Sequence, residues 1–177
     1  MSKDFNAIVS EYGPLLSRIA SSYEANPHLQ QELLQEISLA VWQSLKAFKG
    51  TSSLKTYILR VAHNKAVSHV AYHAKQPSSE TYCEVENSHS SNTLSAIGNI
   101  SNSSRQSPES ELAKQSKVSL LVSAVRQLPV QSRQIVTMSM EGLGYQEIAE
   151  VCGISSTNVG VILNRAKKSL MEIINHE

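Results

Sequence analysis

A run of short side chains near the C-terminus has the composition needed to hydrogen-bond the edges of DNA bases. None of these side chains is acidic, and the amides of Asn158 and Asn164 can pair with bases in the major groove. Cations late in the run could reach backbone phosphates. The candidate DNA-contacting set comprises Ser156, Thr157, Asn158, Val161, Asn164, Arg165 and Lys168.

The residues around this run predict two helices joined by a tight turn. Gly153 can adopt the positive φ that ends a helix, and the hydroxyl of Ser155 can cap the free amides of the next helix. Apolar residues on both sides recur at helical spacing, so the second helix packs back on the first. This order is the helix-turn-helix pattern, whose second helix enters the DNA major groove. An ordinary helical hairpin with a glycine turn is the alternative.

Two further predicted helices present polar faces to solvent. The first runs from His28 to about Phe48, and its outer face carries Gln and Glu side chains. The second runs from Leu54 to about His73, and its outer face is cationic. We predict that Lys55, Arg60, Asn64, Lys65 and His69 lie on that outer face, whereas Leu54, Ile58, Val61, Ala62 and Val70 point inward.

The chain shows helical periodicity and none of the alternation typical of strands, so the predicted fold class is all-α. Pro14 is predicted to kink the first helix or to start a new one. Residues 76–108 are dominated by Ser and Asn, which cannot bury enough apolar surface to fold. The prediction is therefore two small helical domains, 1–75 and 109–177, joined by a flexible linker, 76–108.

Composition, charge and the absence of certain motifs exclude several classes of protein. The net charge of +1 divides into +3 for residues 1–75, −4 for 76–111 and +2 for 112–177, so two mildly basic blocks flank an acidic one. No membrane-spanning run or signal-peptide layout occurs, which predicts a cytoplasmic protein without membrane insertion. Cys83 and Cys152 lie far apart and indicate neither a disulfide framework nor a zinc site. No phosphate-binding loop, nucleophile motif or catalytic carboxylate pair is present, so neither an enzyme nor a cofactor is expected.

Two longer stretches resemble a known family. Glu32-Leu-Leu-Gln-Glu36, followed by the segment from Phe48 to Asn64, is similar to region 2 of bacterial sigma factors. Leu128-Pro-Val-Gln-Ser-Arg-Gln-Ile-Val and, after it, Gly144-Tyr-Gln-Glu-Ile-Ala-Glu-Val are similar to their region 4. Two such domains with only a short linker between them resemble the extracytoplasmic-function (ECF) group of sigma factors.

The resemblance implies a function and a set of contacts. A protein of this group binds core RNA polymerase and directs promoter-specific initiation, with region 2 melting the −10 element and region 4 recognising the −35 element. The implied polymerase-binding residues are Glu32, Gln35, Glu36 and Trp42, and the implied −10 residues are Lys55, Tyr57, Arg60, Asn64 and Lys65. The implied partners are core RNA polymerase, promoter DNA and an anti-sigma factor, and the chain is expected to be a monomer.

The recognition helix departs from the pattern of the family at Gly160 and Ile162, because Lys or Arg is common early in this helix. A residue without a side chain would let the backbone come close to DNA, at a cost in helix stability of about 1 kcal/mol relative to alanine.

Two other functions stay open at this point. One is a stand-alone transcription regulator that binds duplex DNA through the helix-turn-helix, with the N-terminal block as a dimerisation or sensor domain. The other is a degenerate sigma-like protein that binds polymerase without initiating transcription. His69 and His73 are predicted to form a surface pair, because two ligands without a neighbouring carboxylate or thiol make a poor metal site.

Overall fold

The computed structural model describes residues 5–75 and 108–176, and the regular secondary structure in these ranges consists of helices joined by short turns. The seven helices of the described chain are α1 (Phe5–Tyr23), α2 (Pro27–Leu45), α3 (Leu54–Lys75), α4 (Pro108–Gln127), α5 (Val130–Met140), α6 (Tyr145–Cys152) and α7 (Ser156–His176). The predicted all-α fold is confirmed. The predicted linker lies outside the described residues except for Pro108, which begins α4, and Cys83 lies outside them as well.

Helix α1 continues through Pro14 and does not restart there, contrary to one of the two sequence-based expectations. A proline inside a helix cannot donate to the carbonyl four residues earlier. Pro14 is exposed, so the carbonyl that loses its donor lies on the solvent side of the helix, where water can replace the hydrogen bond.

Side-chain caps fix where three of the helices begin. The Asn26 Oδ1 atom accepts the backbone N–H of His28 at 2.9 Å, and the Ser53 hydroxyl accepts that of Thr56 at 3.0 Å. Ser155 accepts the N–H of Asn158 at 3.2 Å, as its position in the sequence predicts. Each cap satisfies an amide that has no partner within its own helix, so these polar residues set the register of α2, α3 and α7.

The first three helices pack around an apolar centre. Ile19, Leu33, Ile37, Ile58 and Leu59 are fully buried there. The imidazole of His63 is also fully buried, and the hydroxyl of Tyr23 lies 3.0 Å from its Nδ1 atom. Burial lowers the pKa of His63 to about 3, because a charged imidazole would lose its hydration in this environment.

His69 is buried, which corrects the prediction that it lies on the outer face of α3. Its Nε2 atom is 3.7 Å from a carboxylate oxygen of Glu24, and its Nδ1 atom is 4.0 Å from one of Glu36. The ring also lies 4.3 Å from that of His73. His69 follows Leu59, Ala62 and Ala66 at three- or four-residue spacing, so it continues the buried stripe of α3. Within residues 5–75 and 108–176, no group of three His, Cys, Asp or Glu side chains is placed to hold a metal ion.

The four C-terminal helices form a second bundle that packs directly on the first. Helix α4 lies against both α7 and α1, and α3 contacts α5 and α6. The Arg126 guanidinium donates to the backbone oxygen of Ser21 at 2.7 Å, and that of Arg133 lies 5.5 Å from the centre of the Tyr23 ring. No helix in the part of the chain that the structure describes is long and apolar enough to cross a bilayer.

Candidate functional site

The helix-turn-helix has the local geometry that the sequence predicts. Gly153 adopts φ 67°, and its N–H donates to the carbonyl of Ala149, as does that of Ile154 at 3.1 Å. This left-handed residue ends α6 and turns the chain into α7. Ile148 and Val159 are fully buried where the two helices meet, so the angle between α6 and α7 is set by close apolar packing.

All seven predicted DNA-contacting residues of α7 are exposed. Thr157, Val161, Asn164 and Lys168 follow one another at three- or four-residue spacing and therefore form a single stripe along the helix. Ser156, Asn158 and Arg165 lie beside it. The structure thus brings these residues to one solvent-facing surface, which we call the recognition face.

Gly160 faces the aromatic ring of Tyr145, the first residue of α6. A Cβ atom added at Gly160 would lie 3.5 Å from Cε2 of that ring, which is an ordinary van der Waals distance. Tyr145 itself is about half exposed, so part of its ring lies on the surface beside the recognition face. The absence of a side chain at Gly160 therefore leaves room for the Tyr145 ring. This packing is a second explanation for the glycine, besides the expected close approach of the backbone to DNA.

Gly160→Ala is expected to raise the free energy of unfolding by about 0.5–1 kcal/mol, because alanine restricts the unfolded chain and fits the available space. Urea unfolding of the purified chain measures this change. We also expect promoter binding to be unchanged by Gly160→Ala, whereas the comparison variant Asn158→Ala weakens it. Weaker binding by Gly160→Ala with intact stability would instead support close backbone approach to DNA.

The predicted −10 residues of α3 separate into two groups. Arg60 and Asn64 are exposed, whereas the Lys65 ammonium lies 3.4 Å from a carboxylate oxygen of Glu36. Lys55 is half-buried and donates to the backbone oxygen of Glu141. Tyr57 donates its hydroxyl to the carbonyl of Ser44 at 2.9 Å, so this hydroxyl fastens the start of α3 to the end of α2.

A cavity of about 290 Å³ lies beside Tyr57 and Arg60. The turn before α3 and the first turns of α3 form one wall, and α6 forms the other. Its lining residues are Thr51, Ser52, Thr56, Tyr57, Arg60, Glu150 and Val151. Hydroxyl groups, one aromatic ring and one guanidinium thus converge here, which is a suitable combination for an unstacked base and its phosphate.

The predicted polymerase-binding residues lie along α2. Glu32 and Gln35 are exposed, and Glu36 is half-buried beside Lys65. Trp42 is 42% exposed, and the Lys46 ammonium lies 5.0 Å from the centre of its ring, so this tryptophan is a surface residue and not part of the core.

Sequence reasoning missed Leu39, which is 52% exposed next to Trp42. Together they form an open apolar groove of about 670 Å³, lined by Leu34, Gln35, Ser38, Leu39 and Trp42. The sequence did contain a sign of this groove, because Leu39 is a large apolar residue that does not belong to the buried stripe of Leu33, Ile37 and Val41. An apolar groove flanked by acidic and amide side chains is typical of a surface that binds another protein.

Sequence reasoning also missed a set of contacts between the two bundles. The Arg18 guanidinium makes a two-point ion pair with the Glu141 carboxylate, at 2.7 and 2.8 Å. The Thr56 hydroxyl donates to a carboxylate oxygen of Glu147 at 2.9 Å. These pairs join residues more than ninety positions apart, for which a single sequence carries no spacing signal.

Comparison with known proteins identifies both bundles. Models of sigma-70 region 2 and of sigma-70 region 4 match residues 8–76 and 119–170, about two thirds of the chain together. The chain is 25% identical over 171 residues to the ECF RNA polymerase sigma-E factor of Escherichia coli strain K12, covering 95% of this chain and 85% of that protein. It is 22% identical to the corresponding factor of Haemophilus influenzae, covering 95% and 86%.

Solved structures share the fold over nearly the whole chain. The sigma factor RpoE of Bartonella quintana, in complex with the anti-sigma factor NepR, superposes with a TM-score of 0.67 and 18% identity, covering 98% of both chains. CnrH, in complex with the cytosolic domain of CnrY, superposes with a TM-score of 0.64 and 17% identity, covering 98% of this chain and 88% of that one.

Proposed function

Because the chain belongs to the sigma-70 family, and within it to the ECF group of sigma factors, we propose which of its surfaces serve each step of transcription initiation. An ECF sigma factor binds core RNA polymerase and directs promoter-specific initiation. We assign residues 1–75 to polymerase binding and the −10 element, 109–177 to the −35 element, and 76–108 to the connection between them. The family consists of initiation factors that are not enzymes, and we propose that this chain likewise contributes binding while polymerase performs the catalysis.

The groove on α2 is the proposed polymerase-binding surface. Its apolar floor, formed by Leu39 and Trp42, would be covered in a complex, and that burial supplies the main favourable free energy. Glu32, Gln35 and Glu36 lie on the same helix and offer acceptors for cationic side chains of the partner. The exposure of Trp42 is the observation that carries this assignment.

The start of α3 is the proposed single-strand site. Arg60 and Lys55 supply positive charge for backbone phosphates, and the adjoining cavity has room for one unstacked base. Asn64 and Lys65 extend this surface along α3. The Tyr57 ring packs 4.9 Å from that of Phe48 and forms a fixed aromatic side of the cavity, so it can stack on a base without first being ordered.

The recognition face of α7 is the proposed −35 site. Asn158 and Asn164 are its candidates for base-edge hydrogen bonds, and Arg165 and Lys168 are its candidates for phosphate contacts. Burial of Val159 and Leu163 on the opposite side fixes the helix on its support, so the exposed side chains have a defined direction toward DNA. The net positive charge here is small, which predicts that duplex binding depends on the simultaneous contact with polymerase.

The partners follow from this assignment. Core RNA polymerase and promoter DNA are the proposed binding partners of a monomeric, cytoplasmic chain. The sigma factor RpoE of Bartonella quintana was crystallised with the anti-sigma factor NepR, so an anti-sigma factor is a proposed partner here too.

In vitro transcription from a genomic fragment library tests the function directly. Core polymerase is assayed with and without the purified chain, and we expect start sites that appear only when the chain is present. Upstream sequences shared by those start sites would give the −10 and −35 elements. Binding to core polymerase without new start sites would favour a degenerate sigma-like protein, and duplex binding without polymerase would favour a stand-alone regulator.

A further inference from the structure

The recognition face carries an exposed apolar side chain among polar ones. Val161 is 42% exposed, and every other exposed residue from Ser156 to Lys168, a stretch that the structure describes in full, is polar or charged. The next residue, Ile162, packs against the core, as the buried Val159 and Leu163 do. The methyl groups of Val161 therefore lie on the surface that is proposed to face duplex DNA.

Val161 lies at the centre of this face. Asn158 and Asn164 are each three residues away from it, and Thr157 and Arg165 are each four residues away, so these four exposed side chains surround it on the helix. Three residues span about 4.5 Å along the axis, compared with about 3.4 Å between successive bases. A base that Val161 contacts is therefore within about two base pairs of the bases that the two amides reach.

The Val161 side chain has a fixed direction before DNA binds. A β-branched side chain within a helix is held mainly in one χ1 rotamer, unlike a longer apolar side chain. Burial of Val159 and Leu163 on the opposite side fixes the helix itself. Little side-chain entropy is then lost on binding, so an apolar contact at this position can distinguish one base from another.

Thymine is the base that complements an apolar group at this position. It presents a 5-methyl group in the major groove, whereas the other base edges there offer hydrogen-bond donors and acceptors. A valine against a donor or acceptor would remove it from water without replacing its hydrogen bond, which is unfavourable. No Arg or Lys, the side chains that typically read guanine, occurs between Ser156 and Asn164. This half of the helix is therefore better suited to thymine and adenine.

We propose that Val161 determines specificity within the −35 site by reading the 5-methyl group of one thymine. The inference rests on the proposed −35 role of the recognition face, and it adds the base that the centre of this face selects. The −35 element of this protein then contains a thymine, on one strand or the other, whose methyl group contributes to binding.

Replacement of thymine by deoxyuridine tests the contact directly. The probes are synthetic promoter duplexes with the upstream sequence of a start site found by in vitro transcription, in which each −35 thymine is replaced in turn. Each replacement removes one methyl group and keeps the base pair. We expect one of them to weaken binding of core polymerase carrying the full-length chain about threefold, as the loss of one buried methyl group predicts. Competition in a gel mobility-shift assay measures this change.

Val161→Ala completes the test as a double-mutant cycle. The variant should bind the thymine duplex about threefold more weakly, and deoxyuridine at the sensitive position should weaken it no further, because the contact is already lost. Effects of the methyl group on DNA shape or on other contacts occur with both chains and cancel in the cycle. Val118→Ala removes the same methyl groups from an exposed valine of α4 and should keep the full deoxyuridine effect. Circular dichroism should show equal helix content for these chains.

An equal deoxyuridine effect with Val161→Ala and with the unchanged chain would overturn the proposal. So would a −35 element without any thymine on either strand, or one in which no replacement weakens binding. Failure of the proposed function has a separate readout, since the unchanged chain would then give no start sites with core polymerase on ordinary DNA.

Discussion

A chain carrying Leu39→Glu and Trp42→Glu is expected to bind core RNA polymerase at least about tenfold more weakly and to lose most of its transcripts. Both side chains form the floor of the α2 groove, so the substitutions place two charges where apolar surface should be covered. They are 52% and 42% exposed, so the fold of the free chain should survive the change. Pull-down of core polymerase and in vitro transcription measure the two effects.

The matched control for the groove is Val118→Glu. Val118 is 52% exposed on α4, so this change puts one negative charge on an apolar surface residue outside the groove. It should leave polymerase binding intact, and circular dichroism should show equal helix content for all of the variants. Equal polymerase binding by the groove variant and the control would exclude α2 as the polymerase-binding surface.

Stability is expected to fall steeply in mild acid because of His63. Its pKa is about 3 in the folded chain, against an ordinary value of 6.5, so the unfolded chain binds a proton that the folded chain does not. The stabilising effect is fully present above pH 6.5 and is lost as the pH falls from there toward 3. Below about pH 6 the free energy of unfolding should therefore drop by about 1.4 kcal/mol per pH unit.

Urea unfolding between pH 7.5 and pH 5 tests this expectation. His63→Gln keeps an acceptor for the Tyr23 hydroxyl but cannot be protonated, so its pH slope should be flatter over this range. His28→Gln, which changes an exposed histidine, should retain the original slope. The range stays above the ordinary pKa of Glu147, 4.5, whose lowered folded value destabilises the chain only in stronger acid. Identical slopes for the unchanged chain and His63→Gln would contradict the role of His63.

Local features of the fold could be predicted because they depend on residues near one another in the chain. The turn at Gly153 and the cap at Ser155 are set by backbone conformation and by hydrogen bonds over a few residues, and both are confirmed. The exposure of Asn158 and Arg165 follows from helical periodicity once the apolar stripe of α7 is known. The roles of these exposed side chains on DNA remain predictions.

The burial of two particular side chains was predicted less well than the helices that carry them. His69 was expected to be exposed, yet Glu24, which directly follows α1, and Glu36 of α2 lie against it. Leu39 is the opposite of His69: it is apolar, yet about half of it is exposed because no other helix of the described chain covers that part. Periodicity gives the direction of a side chain, whereas burial depends on what the neighbouring helix brings to that position.

The sequence by itself determined the helical periodicity, the cap at Ser155, the helix-turn-helix and the family resemblance, because each of these is carried by spacing within a short stretch. Only the tertiary structure decided that the bundles pack together, that Arg18 pairs with Glu141, and that Lys55 and Thr56 contact the C-terminal bundle. Those contacts join residues far apart in the chain. These contacts form only where the surfaces of the two helical bundles fit together. That fit depends on how the helices of each bundle are packed, which spacing along the chain does not reveal.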